Sequence, residues 1–346
     1  MSRVAVVTSS PPMIEGGHMV IARSLVQALR DAGHTAEIVV TPENRFGRQA
    51  SAYIATWLTD VGSAGGSPID RVVTLRFPSY AVRHPNHVCW LNHTMREYYD
   101  QWEAFSERLS WQARMKETVR RGLIHAADAW LLKNNVRHLY AQSRAVQARL
   151  ARWGGIASDV LYPPPPQRPY RCDTYGDYLF AISRLTPLKR LSLLIDALAT
   201  PDGQGIRCVI AGDGDEREAL ERRIKEKRLE SRVTLAGRID DSQMLDHLAN
   251  CRAVCFPPFD EDYGFVTVEA FASGKAVVTC TDSGGPAELV SDGISGRVTA
   301  PEPAALARGL REVMEDRGSA ERMGAAALAQ VSKMNWSDAV RRLLQS

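Results

Sequence analysis

The stretch "LFAISRLTPLKRLSLLIDAL", Leu179–Leu198, reads as a strand, a loop and a helix in direct succession. Leu179–Ile182 is a short apolar run suited to a buried strand, and from Leu191 the apolar residues recur at helical spacing. Pro187 sets a fixed turn between the two. A strand feeding a helix through a short loop is the repeating half of a parallel α/β sheet. The same rhythm runs along the chain. "RVAVVTS", "TAEIVVT", "RVVTLRF", "HVCWLN" and "HLYAQS" read as strands of a first half. "DYLFAIS", "IRCVIAG", "RVTLAG", "RAVCFP" and "AVVTC" repeat the pattern in a second. Between the first two strands, "HMVIARSLVQALRDAGH" is apolar at helical spacing and closes on Gly33.

The break falls in "LYPPPPQRPYRCDTYGD", where four prolines in a row forbid a helix or a central strand and favour an extended connector. The fold expected is therefore α/β with two Rossmann-like parallel-sheet domains, 1–165 and 172–328. In open sheets of this kind ligands bind beyond the carboxyl ends of the strands, and two such domains on one linker would make a cleft.

Composition narrows the class. A chain of 346 residues exceeds one ordinary hydrophobic core. With 45% hydrophobic and 24% charged residues it is an ordinary globular composition, and a net charge of +3 argues against a general nucleic-acid binder. No apolar run approaches the length of a membrane span. "MSRVAVVTSS" has too short an apolar core for a signal peptide and reads as a first strand. Of the six cysteines, Cys89, Cys208, Cys255 and Cys280 sit in strand-like runs, as buried thiols do in a reducing compartment. Cys251 and Cys255 lack a second Cys/His pair, so zinc is not expected. A cytoplasmic location is expected.

Three loops carry candidate chemistry. In "SSPPMIEGGH", Gly16 and Gly17 have no side chains, so their N–H groups can approach a phosphate at a helix start. The pattern is neither a dinucleotide nor a Walker motif, and a plain flexible turn is the competing reading. In the opening stretch, Arg184 directly follows the strand and Lys189 opens the helix. Forked and point cations together suit a diphosphate, whereas Arg190 reads as a solvated loop cation. In "EDYGFVTVEAFASGK", Glu261–Lys275, a helix is expected from about Gly264 to Gly274. Its first N–H groups, around Phe265, Val266 and Thr267, favour an anion. Glu261 in the loop and Glu269 in the helix are carboxylates suited to vicinal hydroxyls. Glu261, between Asp260 and Asp262, also reads as a solvated acid.

With these residues in view, the sequence resembles the retaining glycosyltransferases of family 4, which have the GT-B fold. The resemblance covers essentially the whole chain and rests on Gly16–Gly17, "SRLTPLK", "VIAGDGDEREAL", "VTLAGRI", the Glu261–Glu269 pair and "GGPAELVSDGISG". It implies that Arg184 and Lys189 hold a nucleotide diphosphate, that Glu269 binds the ribose, and that Glu261 faces the donor sugar. Gly237, Arg238 and Ile239 would border the base. His93, in "WLNHTMREYYDQW", would contact the donor sugar near its anomeric centre, with His84 or His87 as the alternatives. Residues 329–346 would form a helix returning to the N-terminal domain.

The implied activity moves a hexosyl group from a nucleotide-diphosphate sugar, UDP ahead of GDP, to an acceptor hydroxyl with retention of configuration. No cofactor and no metal are expected. The acceptor would be a glycan, a lipid-linked or a natural-product hydroxyl, with peripheral membrane contact and no nucleic acid among the partners. A 2-epimerase of the same fold is the alternative enzyme, and a non-catalytic sugar-nucleotide or glycan binder the alternative class. Asp213 and Asp215 resemble a metal-binding pair, but Asp215 reads better as a helix N-cap. Glu288 reads as a helix-start acid. The aromatic-basic stretch Tyr98–Arg121 could be an acceptor surface or a membrane-adjacent patch, but its mixed charges read better as a plain amphipathic helix.

Overall fold

The computed structural model describes residues 1–11, 16–43 and 47–345. The chain divides into two compact units, Met1–Pro163 with Asn335–Ser346, and Pro164–Met334. The division falls inside the run of four prolines.

The N-terminal unit contains, in chain order, β1 (Arg3–Ser10), α1 (Gly17–Asp31), β2 (Thr35–Pro42), α2 (Gln49–Leu58), a small hairpin of β3 (Ser63–Ala64) and β4 (Ser67–Pro68), and β5 (Arg71–Thr74). There follow β6 (His87–Leu91), α3 (Trp102–Ser106), α4 (Trp111–Asn134), β7 (His138–Ala141), α5 (Arg144–Gly154) and β8 (Asp159–Val160). Its six-stranded sheet has the order β2-β1-β5-β6-β7-β8, and every pairing in it is parallel. Val4, Val6 and Val7 of β1 are buried, as a strand covered on both faces requires. Helix α1 stops at Ala32 because Gly33, at φ +84°, takes the left-handed conformation and returns its N–H to the Arg30 carbonyl.

The C-terminal unit contains β9 (Tyr178–Ile182), α6 (Leu191–Ala199), β10 (Arg207–Ala211), α7 (Arg217–Glu226), β11 (Val233–Gly237), α8 (Asp241–Asn250) and β12 (Ala253–Cys255). It continues through α9 (Phe265–Ala272), β13 (Ala276–Cys280), α10 (Gly285–Leu289), β14 (Gly296–Thr299), α11 (Pro303–Glu315) and α12 (Arg317–Val331). Its sheet order is β11-β10-β9-β12-β13-β14, again parallel throughout. The opening stretch is β9 and α6. Leu191, Leu194, Ile195 and Leu198 on the inner face of α6 pack with Leu179 and Ala181 of β9 in one buried core. The last helix, α13 (Trp336–Gln345), belongs to the N-terminal unit.

All ten strands read from the sequence are present. Those not read are β3, β4, β8 and β14. The first three have two residues each, and β14 is a half-buried edge strand with one aliphatic residue, too little pattern to mark a strand.

Each sheet reverses its winding once. In the C-terminal unit the chain runs outward from β9 through β10 to β11, then crosses to β12 on the other side of β9. The loops after β9 and β12 therefore diverge at adjacent strand ends, the position at which open α/β sheets hold ligands. In the N-terminal unit β1 and β5 flank the corresponding point.

Candidate functional site

The loop after β9 leads through Ser183 and Arg184 into a short 3-10 turn, Pro187–Lys189, and then into α6. Lys189 Nζ donates to Glu261 Oε2 at 2.6 Å, and its ammonium lies 5.5 Å from the centre of the Phe256 ring. This ion pair joins the β9 loop to the β12 loop across the switch point. The Arg184 side chain is exposed and has no ion pair among the described residues. The β10 loop supports the same turn, because the Leu185 N–H bonds the Asp213 carbonyl at 2.9 Å.

The loop from Phe256 to Gly264 is held against the turn after β13. Glu261 N–H donates to the Ser283 carbonyl at 3.0 Å, and Gly285 N–H donates to the Glu261 carbonyl at 2.9 Å. Gly284 sits at φ +67°, and a Cβ there would lie 2.4 Å from the Glu261 oxygen, so only glycine lets the loops approach this closely. Gly264 caps α9 at φ +80°, with Phe256 and Pro286 filling the space where a Cβ would go. Helix α9 then runs Phe265–Ala272, with Phe265 and Val266 half-buried and Thr267 fully buried. Thr267 Oγ1 has no hydrogen-bond partner among the described residues.

Glu269 is buried and is held from the connector. Arg168 Nη1 donates to its Oε1, and the Tyr170 hydroxyl bonds the same oxygen at 3.2 Å. Arg168 also reaches Asp241 at 3.1 Å, at the start of α8. Burial raises the Glu269 carboxyl above its ordinary range, and Arg168 and the Tyr170 hydroxyl oppose that shift. Gly237 ends β11 at φ +72°, followed by exposed Arg238 and half-buried Ile239 ahead of the Asp240–Gln243 capping box of α8. Arg168 and Tyr170 were missed in the sequence because the connector looked like a spacer. The available signal was an arginine and a tyrosine just past the proline run.

Three readings are corrected. Tyr98–Arg121 is not one helix but runs from the end of a 3-10 turn through α3 into the first half of α4. Arg190 is not a solvated cation. It donates to both Asp282 oxygens at 2.7 Å and to the carbonyls of Pro257 and Pro258, tying three loops together. Asp215 is not the cap of α7. That position is Glu216, which makes no side-chain capping bond, and the Asp213 carboxylate instead accepts the Gly214 N–H at 3.0 Å. Glu288 lies in the first turn of α10.

In the N-terminal unit Gly16 caps α1 in an extended conformation, and Gly17 is the helix's first residue. The "PMIE" part of that loop, residues 12–15, lies outside the described residues. His93 follows the carboxyl end of β6. Its Nδ1 donates to the Thr94 carbonyl at 2.6 Å, since a carbonyl oxygen can only accept. His93 also borders a cavity of about 20 Å³ with Tyr99, His125 and Arg149. His84 and His87 sit at the other end of β6. His84 is engaged with the Ile69 carbonyl at 3.0 Å. His87 is fully buried, bonds the Thr74 hydroxyl at 2.9 Å, and is lowered to about 4 by burial.

Two parallel six-stranded sheets, each with a switch point served by strand-end loops, define the GT-B class of fold. Solved structures agree. The protein superposes on the sucrose-phosphate synthase of Thermosynechococcus elongatus with a TM-score of 0.76 at 18% identity, over 99% of this chain and 98% of that one. It superposes on Anabaena HepE, solved with UDP and glucose, with a TM-score of 0.72 at 20% identity over 99% of both chains.

Residues 170–330 match the family model of glycosyl transferases group 1. Curated relatives align over the same share of the chain. Human alpha-1,3/1,6-mannosyltransferase ALG2 is 25% identical over 45% of this chain and 41% of its own length. The phosphatidyl-myo-inositol mannosyltransferase of Mycobacterium tuberculosis is 31% identical over 46% of this chain and 43% of its own. The D-inositol 3-phosphate glycosyltransferase of Nocardia farcinica is 30% identical over 48% and 39%. The matched stretch therefore spans less than half of each of these relatives.

Proposed function

We propose that this protein transfers a hexosyl group from a nucleotide-diphosphate sugar, a UDP-sugar ahead of a GDP-sugar, to an acceptor hydroxyl with retention of anomeric configuration. The observation that carries the reading is the Lys189–Glu261 pair across the switch point, with exposed Arg184 on the same loop. A diphosphate at these strand ends would meet two cations and the N–H groups at the start of α9. Charge-assisted bonds of that kind stabilise the negative charge that builds on a leaving phosphate. Glu261 keeps Lys189 on station and takes sugar hydroxyls. Glu269, oriented by Arg168 and Tyr170, takes the ribose, and Gly237, Arg238 and Ile239 border the base.

The acceptor hydroxyl then attacks on the face the diphosphate leaves, passing its proton to a phosphate oxygen. In this scheme the protein orients the reactants and neutralises charge, with neither a carboxylate nucleophile nor a metal. His93 acts on the transferred sugar, so His93→Ala stops transfer and leaves nucleoside-diphosphate affinity unchanged. A UDP-sugar is supported by the structural likeness to HepE, which was solved with UDP. The acceptor is a glycan, lipid-linked or natural-product hydroxyl.

The test is a thermal-shift panel of nucleotide sugars followed by a transfer assay with chelator present. Stabilisation by one UDP-sugar and turnover that survives chelation are expected. No stabilisation by any nucleotide sugar would overturn the reading. Turnover abolished by chelation would return the Asp213–Asp215 pair to consideration.

A further inference from the structure

Helix α4 is apolar on the side that faces away from its own sheet. Ile124, Asp128, Leu131 and Leu132 turn inward and are buried. Trp111, Met115, Val119, Leu123 and Trp130 lie on the opposite side of the helical wheel, and each is between 53% and 70% exposed. Beside them Ile54 and Leu58 of α2 are exposed to the same degree. Together α2 and α4 wall a groove of about 740 Å³ lined by Tyr53, Ile54, Trp57, Val119, Leu123 and Trp130. An apolar surface of this extent on a folded unit marks an interaction site.

The charges around it decide the partner. Helix α2 has no charged residue, and the solvent-facing charges of α4 are Arg114, Lys116 and Lys133. The acidic side chains of α4 are turned in. Glu117 accepts from the Tyr98 hydroxyl and Arg120, and Asp128 from three tyrosines. Exposed Arg83 adds a further cation over the Trp57 ring. Two copies of this face meeting about a two-fold axis would bring the cations together, which disfavours self-association. A tryptophan at each end, an aliphatic stripe between and lysine or arginine on the flanks suit the headgroup level of an anionic bilayer. A helix of 24 residues, about 36 Å long, lies flat along such a surface.

We propose that the α2–α4 face docks the protein on an anionic membrane surface, with α4 in the interfacial plane. The inference is independent of which donor or acceptor the enzyme uses.

Flotation of the protein with phosphatidylcholine vesicles, with and without phosphatidylglycerol, tests it. Binding is expected only with the anionic lipid and should fall as salt is raised. Val119→Glu with Leu123→Glu should reduce vesicle partition on the order of 100-fold. Lys116→Ser with Lys133→Ser should reduce it about tenfold. All four positions are exposed, so circular dichroism and thermal stability should match the parent. Absence of binding to either vesicle overturns the proposal, as does binding that the substitutions leave unchanged. A concentration-dependent dimer abolished by Val119→Glu/Leu123→Glu, without vesicle binding, would identify the face as a self-interface and overturn it as well.

Discussion

Arg190 donates to both oxygens of Asp282 and to two prolyl carbonyls, whereas Arg184, on the same loop, has no ion pair among the described residues. The two arginines should separate stability from function. Arg190→Ala leaves a part-buried carboxylate and two carbonyls without donors and should cost roughly 2–4 kcal/mol in urea unfolding. Arg184→Ala should change stability by no more than about 0.5 kcal/mol. Its cost should fall on kcat/KM, at roughly 2–4 kcal/mol of transition-state stabilisation. The glutamates should separate as well. Glu269→Gln keeps the shape but weakens the bond to Arg168 and the ribose, so free nucleoside diphosphate and intact donor should both lose about 1.5–3 kcal/mol of binding. Glu261→Ala releases Lys189 and removes a negative charge near the phosphates. The free nucleoside diphosphate should therefore bind at least as tightly as before, and only the intact donor should weaken. Calorimetric titration of both variants with both ligands checks this, and loss of bare nucleotide in Glu261→Ala would refute the division of labour.

At the scale of elements, Asp128 ties α4 to its unit through three phenols, beside the Glu117–Tyr98 bond and the buried Ile124, Leu131 and Leu132. Asp128 is buried and accepts the hydroxyls of Tyr53, Tyr80 and Tyr99, the last two at 2.5 and 2.7 Å. Burial raises its carboxyl to about 6, and the three phenols pull in the opposite direction. A raised carboxyl favours its protonated form in the fold, so its contribution to stability is complete below about pH 4 and declines as pH rises towards 6. His87 runs the other way. Its folded value of about 4 lies below the free value, so its contribution is present above pH 6.5 and is lost as pH falls towards 4. The two offset each other within one window. Asp128→Asn should unmask the histidine and make stability climb more steeply between pH 4 and 6 than in the parent, read from melting temperatures across that range. In the other unit, Gly284→Ala should push the loop that carries Glu261 away from the β13 turn and weaken donor binding more than it lowers stability.

At the scale of the whole molecule, the last twelve residues finish the unit in which the chain began. Trp336 packs its ring against Trp90 with centroids 6.0 Å apart, Leu343 is fully buried, and Arg71 donates to the Leu343 carbonyl at 2.9 Å. Removing residues 335–346 should therefore lower the stability of the N-terminal unit, expose Trp90 and leave the core around Leu179 and Ile195 intact. Proteolysis of the truncated chain should cut first within 1–163. Fragments from within 164–334 appearing first would refute the assignment.

Much of this architecture was legible in the linear chain because strand and helix periodicities are local. The alternation of apolar runs and amphipathic segments determined two parallel α/β sheets, and strand-end loops marked Arg184, Lys189, Glu261 and Glu269 as candidates for one site. What those side chains touch was decided only in three dimensions. Glu269 meets Arg168 from 101 residues away, Glu261 meets Lys189 across 72, and Asp128 meets Tyr53 across 75. Arg190 and Arg184 share a loop and a residue type, so nothing local distinguishes the clamp from the exposed cation. The apolar face of α4 was hidden for a related reason. Periodicity shows that a helix has an apolar side, but only the packed fold shows that Ile124 and Leu131 fill the core while Val119 and Leu123 remain outside it.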